Sequence, residues 1–97
     1  MKVVINRRFG GFGLSDEALT LYKQLKGINQ GEKIYDFNIE RTDEHLIEVV
    51  EQLGEKANGR FACLVIVNIP DDMPWHISEY DGVEHVAENH RTFPPQF

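Results

Sequence analysis

The stretch Phe9-Gly10-Gly11-Phe12-Gly13-Leu14-Ser15 joins a predicted strand, Lys2 to Asn6, to a predicted helix that begins after Ser15. Arg7 and Arg8 stand immediately before this stretch. Glycine lets the backbone approach a ligand closely, and the free N–H groups at a helix start attract anions. The stretch therefore predicts an anion-accepting loop. A turn whose glycines only supply positive φ angles is the alternative.

Candidate ligand-binding residues lie in this loop and near the ends of later strands. Phe9 and Phe12 could stack on a base or another ring, and each could equally pack in the core or at a subunit contact. Ser15 is better explained as a helix N-cap than as a nucleophile. The predicted binding residues are Arg7, Arg8, Phe9, Gly11, Phe12, Gly13, Ser15, Asn58 and His76.

Two helices are predicted from apolar residues that recur at helical spacing. Ser15 is the expected N-cap of the first helix, and Gly27 is its expected end. Thr42 or Asp43 is expected to cap the second helix, which Gly54 closes.

Two further strands are predicted along the chain. Residues Ile34 to Ile39 alternate between apolar and polar, which indicates a half-exposed strand. The nearly continuous apolar run from Phe61 to Ile69 indicates a central strand covered on both faces. Cys63 lies in that run and is the only cysteine, so it is expected to be a buried thiol in a reducing compartment.

The carboxy-terminal region carries a hairpin signal. Trp75 to Tyr80 alternates up to Asp81-Gly82, and Val83 to Glu88 can return as its partner strand. A helix over 83–91 also fits the spacing of the apolar residues. The tail 92–97 contains two prolines and is expected to be extended and loose.

The predicted fold class is α/β: a small single-layer mixed sheet in the order β-α-β-α-β, followed by an antiparallel β-hairpin, with two helices packed on the sheet. Parallel pairing through right-handed crossovers is expected in the first part. Residues 1–97 are expected to form a single domain with little room for an internal cavity. A sizeable ligand would therefore sit in a surface cleft or between subunits.

The charge balance limits the classes of partner. The net charge of −6 argues against non-specific nucleic-acid binding, which needs a basic face. Residues 1–30 carry five basic and two acidic groups, whereas residues 31–97 carry five basic and fourteen acidic groups. No apolar run approaches the roughly 20 residues of a membrane span. Met1-Lys2 leads straight into a strand, so no signal peptide is expected, and a cytoplasmic protein is predicted.

Neither a metal site nor a catalytic centre is predicted. The four histidines, His45, His76, His85 and His90, are scattered, and no cysteine or carboxylate pair completes a metal pattern. No candidate nucleophile has a visible partner. The chain is therefore expected to bind a ligand without catalysis and without a cofactor.

Three motif stretches give the chain a family resemblance. They are Gly10-Gly11-Phe12-Gly13-Leu14-Ser15, Leu53-Gly54-Glu55-Lys56-Ala57-Asn58-Gly59 and Glu79-Tyr80-Asp81-Gly82. With them, over nearly its whole length, the chain resembles a group of small phage and prophage proteins. It is similar, more loosely, to the phage anti-Thoeris sponge family, whose members bind the cyclic ADP-ribose signal of a bacterial defence system without cleaving it and act as oligomers. That resemblance implies ligand contacts from the loop after the first strand, from Asn58 and from the position of His76.

Three functional hypotheses follow. The first is a phage-derived homo-oligomer in the host bacterial cytoplasm that sequesters an anionic nucleotide-like small molecule. The second is a protein–protein inhibitor that offers its acidic carboxy-terminal half to a basic host factor. The third is a small hydrolase that acts on such a nucleotide.

Overall fold

The computed structural model describes residues 1–89, which form four strands and two α-helices. The strands are β1 (Lys2–Asn6), β2 (Leu64–Asn68), β3 (Trp75–Tyr80) and β4 (Val83–Glu88). The helices are α1 (Asp16–Lys26) and α2 (Glu44–Leu53). Two short 3-10 turns, Asp36–Asn38 and Gly54–Ala57, precede and follow α2. The predicted α/β class is confirmed, and the tail predicted at 92–97 lies outside the described residues.

The helix boundaries agree with the sequence-based prediction because each end has a capping residue. The Ser15 hydroxyl accepts a 3.1 Å hydrogen bond from the Ala18 N–H, and Gly27 ends α1 in the left-handed region at φ +78°. Asp43 is the N-cap of α2, where its carboxylate accepts the His45 N–H at 2.8 Å. Gly54 closes α2 at φ +57°.

β1 and β2 pair antiparallel, with Lys2 opposite Asn68 and Asn6 opposite Leu64. The expectation of parallel pairing is therefore wrong for these strands. The two helices between them also run antiparallel, since α1 ends beside the start of α2 and begins beside its end. The first helix leads the chain away from the end of β1 and the second helix returns it, so that β2 starts next to the end of β1. The right-handed crossover rule concerns parallel strands and does not govern this connection.

Residues 34–39, predicted as a strand, form no strand and contain the first 3-10 turn. Tyr35 and Phe37 are 49% and 73% exposed, and their rings stack with centroids 5.5 Å apart. The carboxylate of Asp36 accepts the Leu14 N–H at 3.0 Å and holds this segment against the glycine-rich loop. Alternating apolar residues thus arise here from a surface aromatic pair and not from a pleated strand.

β2 is an edge strand in the described part of the chain, where its only strand neighbour is β1. The prediction of a central strand covered on both faces is therefore wrong. Val65, Ile66 and Val67 are only partly buried, whereas the three central residues of β1 are fully buried. Cys63, immediately before β2, is exposed, so the prediction of a buried thiol is also wrong.

The β1–β2 sheet separates two apolar clusters. On one face, Val4 and Leu64 join the main core that both helices supply. On the other face, Val3 and Ile5 pack with Ile69 and with half-buried residues of the β3–β4 hairpin. Strand pairing joins β1 to β2 and β3 to β4 only, so the four strands form two two-stranded sheets and not the predicted single mixed sheet.

The predicted hairpin is confirmed: β3 and β4 pair antiparallel from Trp75 opposite Glu88 to Tyr80 opposite Val83. Asp81 and Gly82 form the turn with φ angles of +51° and +90°. Two consecutive positive φ angles match the right-handed twist of the flanking strands. The alternative helix is excluded over residues 83–88.

Candidate functional site

The glycine-rich loop lies at a junction where three parts of the chain pack backbone against backbone. A Cβ atom on Gly82 would come within 2.8 Å of the Gly10 nitrogen and of the Gly11 Cα. A Cβ on Gly10 would meet Phe61, and one on Gly59 would lie 2.7 Å from the Gly13 carbonyl carbon. These glycines therefore permit close packing between protein segments, and Gly10 and Gly11 also have φ angles of +119° and +105°.

Three backbone N–H groups of the loop region are already bonded within the protein. Each donor lies between the end of β1 and the start of α1, and each acceptor belongs to a distant segment. The bonds are Gly10 to the Asp81 carbonyl at 3.2 Å, Leu14 to the Asp36 carboxylate at 3.0 Å and Ser15 to the Ala57 carbonyl at 3.0 Å. These groups are consequently not free to bind an anion.

The two arginines before the loop have different surroundings. The Arg7 guanidinium donates to the Glu84 carbonyl at 2.8 Å, so it ties β1 to β4 instead of facing the loop. Arg8 is exposed, and its carbonyl accepts the Asn6 side-chain amide at 2.6 Å. Both residues are exposed, but the Arg7 guanidinium is engaged by Glu84, whereas the Arg8 guanidinium forms no hydrogen bond within residues 1–89.

The two phenylalanines of the loop have different surroundings. Phe9 is 65% exposed and is accessible to a ligand or a partner. Phe12 packs against the main core, and the guanidinium carbon of Arg41 lies 3.7 Å from its ring centroid. Phe12 is therefore occupied by a cation–π contact within the protein.

Gly13, Ser15 and Asn58 belong to the junction and have structural partners. The Gly13 carbonyl accepts the Gly59 N–H at 2.9 Å. The Ser15 hydroxyl donates to the Lys56 carbonyl at 2.6 Å in addition to capping α1. The Asn58 side chain accepts the Leu64 N–H at 2.8 Å. The structure brings these residues together within one chain, and their hydrogen bonds hold the fold.

His76 does not join the glycine-rich loop. The hairpin turn at Asp81-Gly82 touches the loop, whereas His76 lies near the other end of β3, four residues before Tyr80. At ~3.3 Å per strand residue, that separation is about 13 Å. The exposed imidazole instead contacts the side chain of Asn89 through its Nδ1 atom.

A buried polar network beneath the junction was not predicted from the sequence. Both carboxylate oxygens of Glu84 accept from the Arg41 guanidinium, at 2.6 and 2.9 Å. Glu84 also accepts the Asn6 N–H at 2.8 Å. The Asn6 side chain donates to the carbonyls of Arg8 and Gly82 and accepts the Cys63 N–H. Both Glu84 oxygens and the Asn6 side chain thus have hydrogen-bond partners, as buried polar groups require.

A separate cleft of about 480 Å³ lies between α1, the start of α2 and the segment that joins them. Apolar side chains form much of its wall, and charged groups stand at its mouth. The lining residues are Tyr22, Lys26, Ile28, Lys33, Ile34, Tyr35, Asn38, Ile39, Glu40 and Asp43. Clefts of this size with a few convergent polar groups are typical ligand sites.

One charged pair in the cleft is satisfied internally. The Asp43 carboxylate accepts the Tyr22 hydroxyl and the Lys26 ammonium, each at 2.7 Å. Burial raises the pKa of Asp43, but the hydrogen bonds from Lys26, Tyr22 and the His45 N–H outweigh it and hold the pKa at about 2. The hydrogen bond to Asp43 raises the pKa of Lys26 above its usual value. Both groups are consequently charged at neutral pH.

Lys33 and Tyr35 form the accessible side of the cleft. Both side chains are exposed, and the Lys33 ammonium lies 5.9 Å from the centroid of the Tyr35 ring. Glu40 is exposed at the opposite margin. The sequence-based interpretation missed this site because it assigned Tyr35 to a strand. The signal that could have revealed it is Lys33, which stands two residues before the first of two closely spaced aromatic residues, Tyr35 and Phe37.

Residues 1–89 contain no group of three or more histidine, cysteine, aspartate or glutamate side chains that could hold a metal ion. Within the same residues, no helix has both the length and the apolar character needed to cross a membrane.

The chain matches no protein-family model, no curated protein and no solved structure. Its function therefore has to be inferred from the contacts, charges and cavities described above.

Proposed function

We propose that the protein binds, without transforming it, a small anionic ring-bearing molecule of the nucleotide class, and that the ligand occupies the cleft between α1 and α2. The observation that carries the proposal is the combination, in one 480 Å³ cleft, of an apolar wall, an exposed tyrosine and a lysine beside it. An apolar wall favours a ring, and an ammonium group favours a phosphate or a carboxylate.

Each accessible polar group of the cleft has a role in this proposal. One face of the Tyr35 ring stacks on Phe37, and the ligand's ring stacks on the other face, as bases do on aromatic side chains. The Lys33 ammonium contacts the anionic group. Asn38 and Glu40 provide acceptors at the margin for the hydroxyl groups of a sugar. A nucleotide carries all three kinds of group, which is why this class is preferred over a simple anion.

Binding without turnover is favoured by the state of the ionisable groups in the cleft. The Asp43 carboxylate, with a pKa of about 2, is a poor proton acceptor at neutral pH, and its oxygens already accept hydrogen bonds. Lys26 is held protonated by that carboxylate and so lacks the lone pair of a nucleophile. These features support sequestration over the hydrolase hypothesis.

The resemblance to phage proteins supports the biological setting of the proposal. In that setting the chain is a phage-derived homo-oligomer in the bacterial cytoplasm that removes a nucleotide immune signal. The similarity to the anti-Thoeris sponge family supports cyclic ADP-ribose as the first ligand to test. Arg8 and Phe9 offer a second accessible cation and ring at the glycine junction, so they define the competing site.

Isothermal titration calorimetry tests the proposal directly. The wild-type protein, at about 100 µM, is titrated with cyclic ADP-ribose isomers, cyclic dinucleotides, ATP and, as a ring-free control, inorganic phosphate. We expect heat of binding with at least one nucleotide and none with phosphate. Recovery of the intact ligand from heat-denatured protein separates binding from hydrolysis. Absence of heat with every nucleotide overturns the proposal.

A second candidate function is inhibition of a partner protein. It is favoured by three aromatic side chains exposed around the glycine junction: Phe9, Phe61 and Tyr80 are 65%, 58% and 75% exposed. Exposed aromatic residues beside arginines are typical of interface hot spots. Pull-down from bacterial lysate with wild-type protein and with Phe61→Ser separates the two candidates. A stoichiometric partner that the wild type captures and the variant does not supports inhibition. The lack of any such partner with the wild type supports the small-ligand proposal.

A further inference from the structure

The outer edge of β2 presents unpaired backbone groups. Cys63 accepts the Arg7 N–H and Met1 accepts the Ile69 N–H, so the odd-numbered residues of β2 face β1 in the hydrogen-bonded positions. In an antiparallel pair the positions alternate, so the N–H and C=O groups of Ile66 point to the opposite edge. Within residues 1–89, the Ile66 backbone has no partner on that side.

The same edge lacks the features that normally prevent edge-to-edge pairing. Residues 62–69, ACLVIVNI, contain no charged residue, no proline and no glycine. By contrast, the outer edge of β1 is covered: the Val4 N–H donates to the Arg41 carbonyl, and the Asn6 N–H donates to Glu84. Within residues 1–89, the fold therefore protects the outer edge of β1, whereas on the outer edge of β2 it engages the Leu64 N–H through Asn58 and leaves Ile66 unpaired.

We propose that a second copy of this chain pairs antiparallel with the outer edge of β2, about a two-fold axis at Ile66. The Ile66 N–H and C=O groups bond to the same groups of the partner copy. The Asn68 N–H donates to the Leu64 carbonyl of the other copy. The Leu64 N–H needs no partner in this arrangement because it already donates to Asn58. The product is a continuous four-stranded antiparallel sheet.

Charge permits a second copy to pair at this edge, although it opposes most other contacts between copies. The chain carries a net charge of −6, so most contacts between two copies bring like charges together. Pairing about Ile66 aligns only neutral residues from 62 to 69, which avoids that repulsion. Residues 62–69 of two copies can therefore pair through their backbone groups without bringing like charges together.

The apolar groove next to β2 adds a hydrophobic contribution. It has a volume of about 450 Å³ and is lined by Val65, Val67, Met73 and Val86, among other residues. Pairing places the same two valines of the second copy beside this groove and extends its apolar floor. Because a five-residue strand pair is smaller than a standard interface, the expected Kd is in the micromolar range, roughly 1–100 µM.

Sedimentation-velocity ultracentrifugation from about 5 to 300 µM tests the pairing. The wild-type protein is expected to shift from monomer to dimer across this range. Ile66→Pro removes the outward N–H group, whereas the control Ile66→Ala removes at least as much side-chain packing but keeps that group. We expect the alanine variant to dimerise and the proline variant to lose at least tenfold in affinity. A wild-type monomer at 300 µM, or equal dimerisation of the two variants, overturns the proposal.

Amide hydrogen exchange in the wild-type protein provides a second measurement that does not depend on the folding of a variant. For a Kd of roughly 1–100 µM, the monomer fraction falls about three- to sevenfold between 5 and 300 µM, so the Ile66 and Asn68 amides are expected to exchange about three- to sevenfold more slowly at the higher concentration. Equal exchange rates at both concentrations overturn the proposal. The pairing gives an interface to the homo-oligomer of the proposed function but does not depend on the ligand, because the cleft that contains Lys33 is lined by a different part of the chain.

Discussion

Glu84 and Arg41 form a bidentate ion pair beneath the glycine junction, with Oε1–Nη1 and Oε2–Nη2 distances of 2.6 and 2.9 Å. The Glu84 side chain is 7% exposed and that of Arg41 is 19% exposed. Because Glu84 lies on β4 and Arg41 precedes α2, the pair joins the hairpin to the helical layer. The hairpin is therefore attached to the rest of the protein by a buried charge pair as well as by apolar packing.

Replacing Glu84 by glutamine should destabilise the fold strongly. Glu84→Gln leaves the Arg41 guanidinium without its counter-charge in a mostly buried position, which is expected to lower the free energy of unfolding by about 2–5 kcal/mol. Urea unfolding followed by tryptophan fluorescence and far-UV circular dichroism measures the loss. Glu88→Gln, an exposed carboxylate on the same strand, is the matched control and should change stability by less than about 0.5 kcal/mol. Equal losses in the two variants would contradict the assigned role.

A methyl group at Gly59 should also be destabilising, because a Cβ there would collide with the backbone of Gly13 at 2.7 Å. Both sides of this contact are backbone, so neither can move without disturbing the junction. Gly59→Ala is expected to lower the free energy of unfolding by about 1–3 kcal/mol or more. Gly31→Ala is the control, since its nearest neighbour is a side-chain oxygen of Asn29 at 3.4 Å. A control variant as unstable as Gly59→Ala would show that the junction is not the cause.

Stability should fall in acid as Asp43 becomes protonated. Its pKa is about 2 in the folded protein and 3.8 ordinarily, so its charged form stabilises the native state above pH 4, and that stabilisation is lost as the pH falls towards 2. The amount at neutral pH is about 2 kcal/mol. Asp43→Asn retains a good N-cap residue but loses the charge. The difference between wild type and variant in urea unfolding should therefore be largest near pH 7 and disappear near pH 2. A difference that does not depend on pH would contradict this account.

Substitutions that leave the fold intact should locate the ligand. Lys33→Gln removes the accessible cation of the cleft and is expected to weaken nucleotide binding about tenfold or more. Tyr35→Ala should weaken it by about 5- to 100-fold through lost stacking. Arg8→Gln removes the exposed cation at the glycine junction and serves as the matched control, with an expected change below twofold. Calorimetry on all three variants decides between the sites, and the reverse ranking would move the ligand to Arg8 and Phe9.

The helices and the hairpin were predictable because local rules determine them. Ser15, Asp43 and Gly27 act within one helical turn of their own positions, and Asp81-Gly82 determines its turn through its own φ angles. The capping and turn-forming roles of these residues need no contact with distant parts of the chain. Local patterns therefore place the elements correctly in the sequence.

The pairing of β1 with β2 and the site could not be obtained in the same way. The direction of β2 depends on the two antiparallel helices, which are arranged by contacts between residues as distant as Tyr22 and Asp43. The glycine-rich loop has the local features of an anion site, and only the approach of Gly82 and Gly59 reveals that its backbone is engaged. The cleft combines α1 with the segment before α2, so no single stretch of sequence contains it.

The junction of Gly10, Gly59 and Gly82 has a consequence for interpreting translated genomes. Its glycines come from three separated motifs, and each is required by a neighbour that is distant in sequence. A chain that contains all three glycine motifs should therefore share this tertiary arrangement, whatever molecule it recognises. The triple-glycine signature is best used as a marker of architecture, and ligand specificity should be compared at the positions around the cleft.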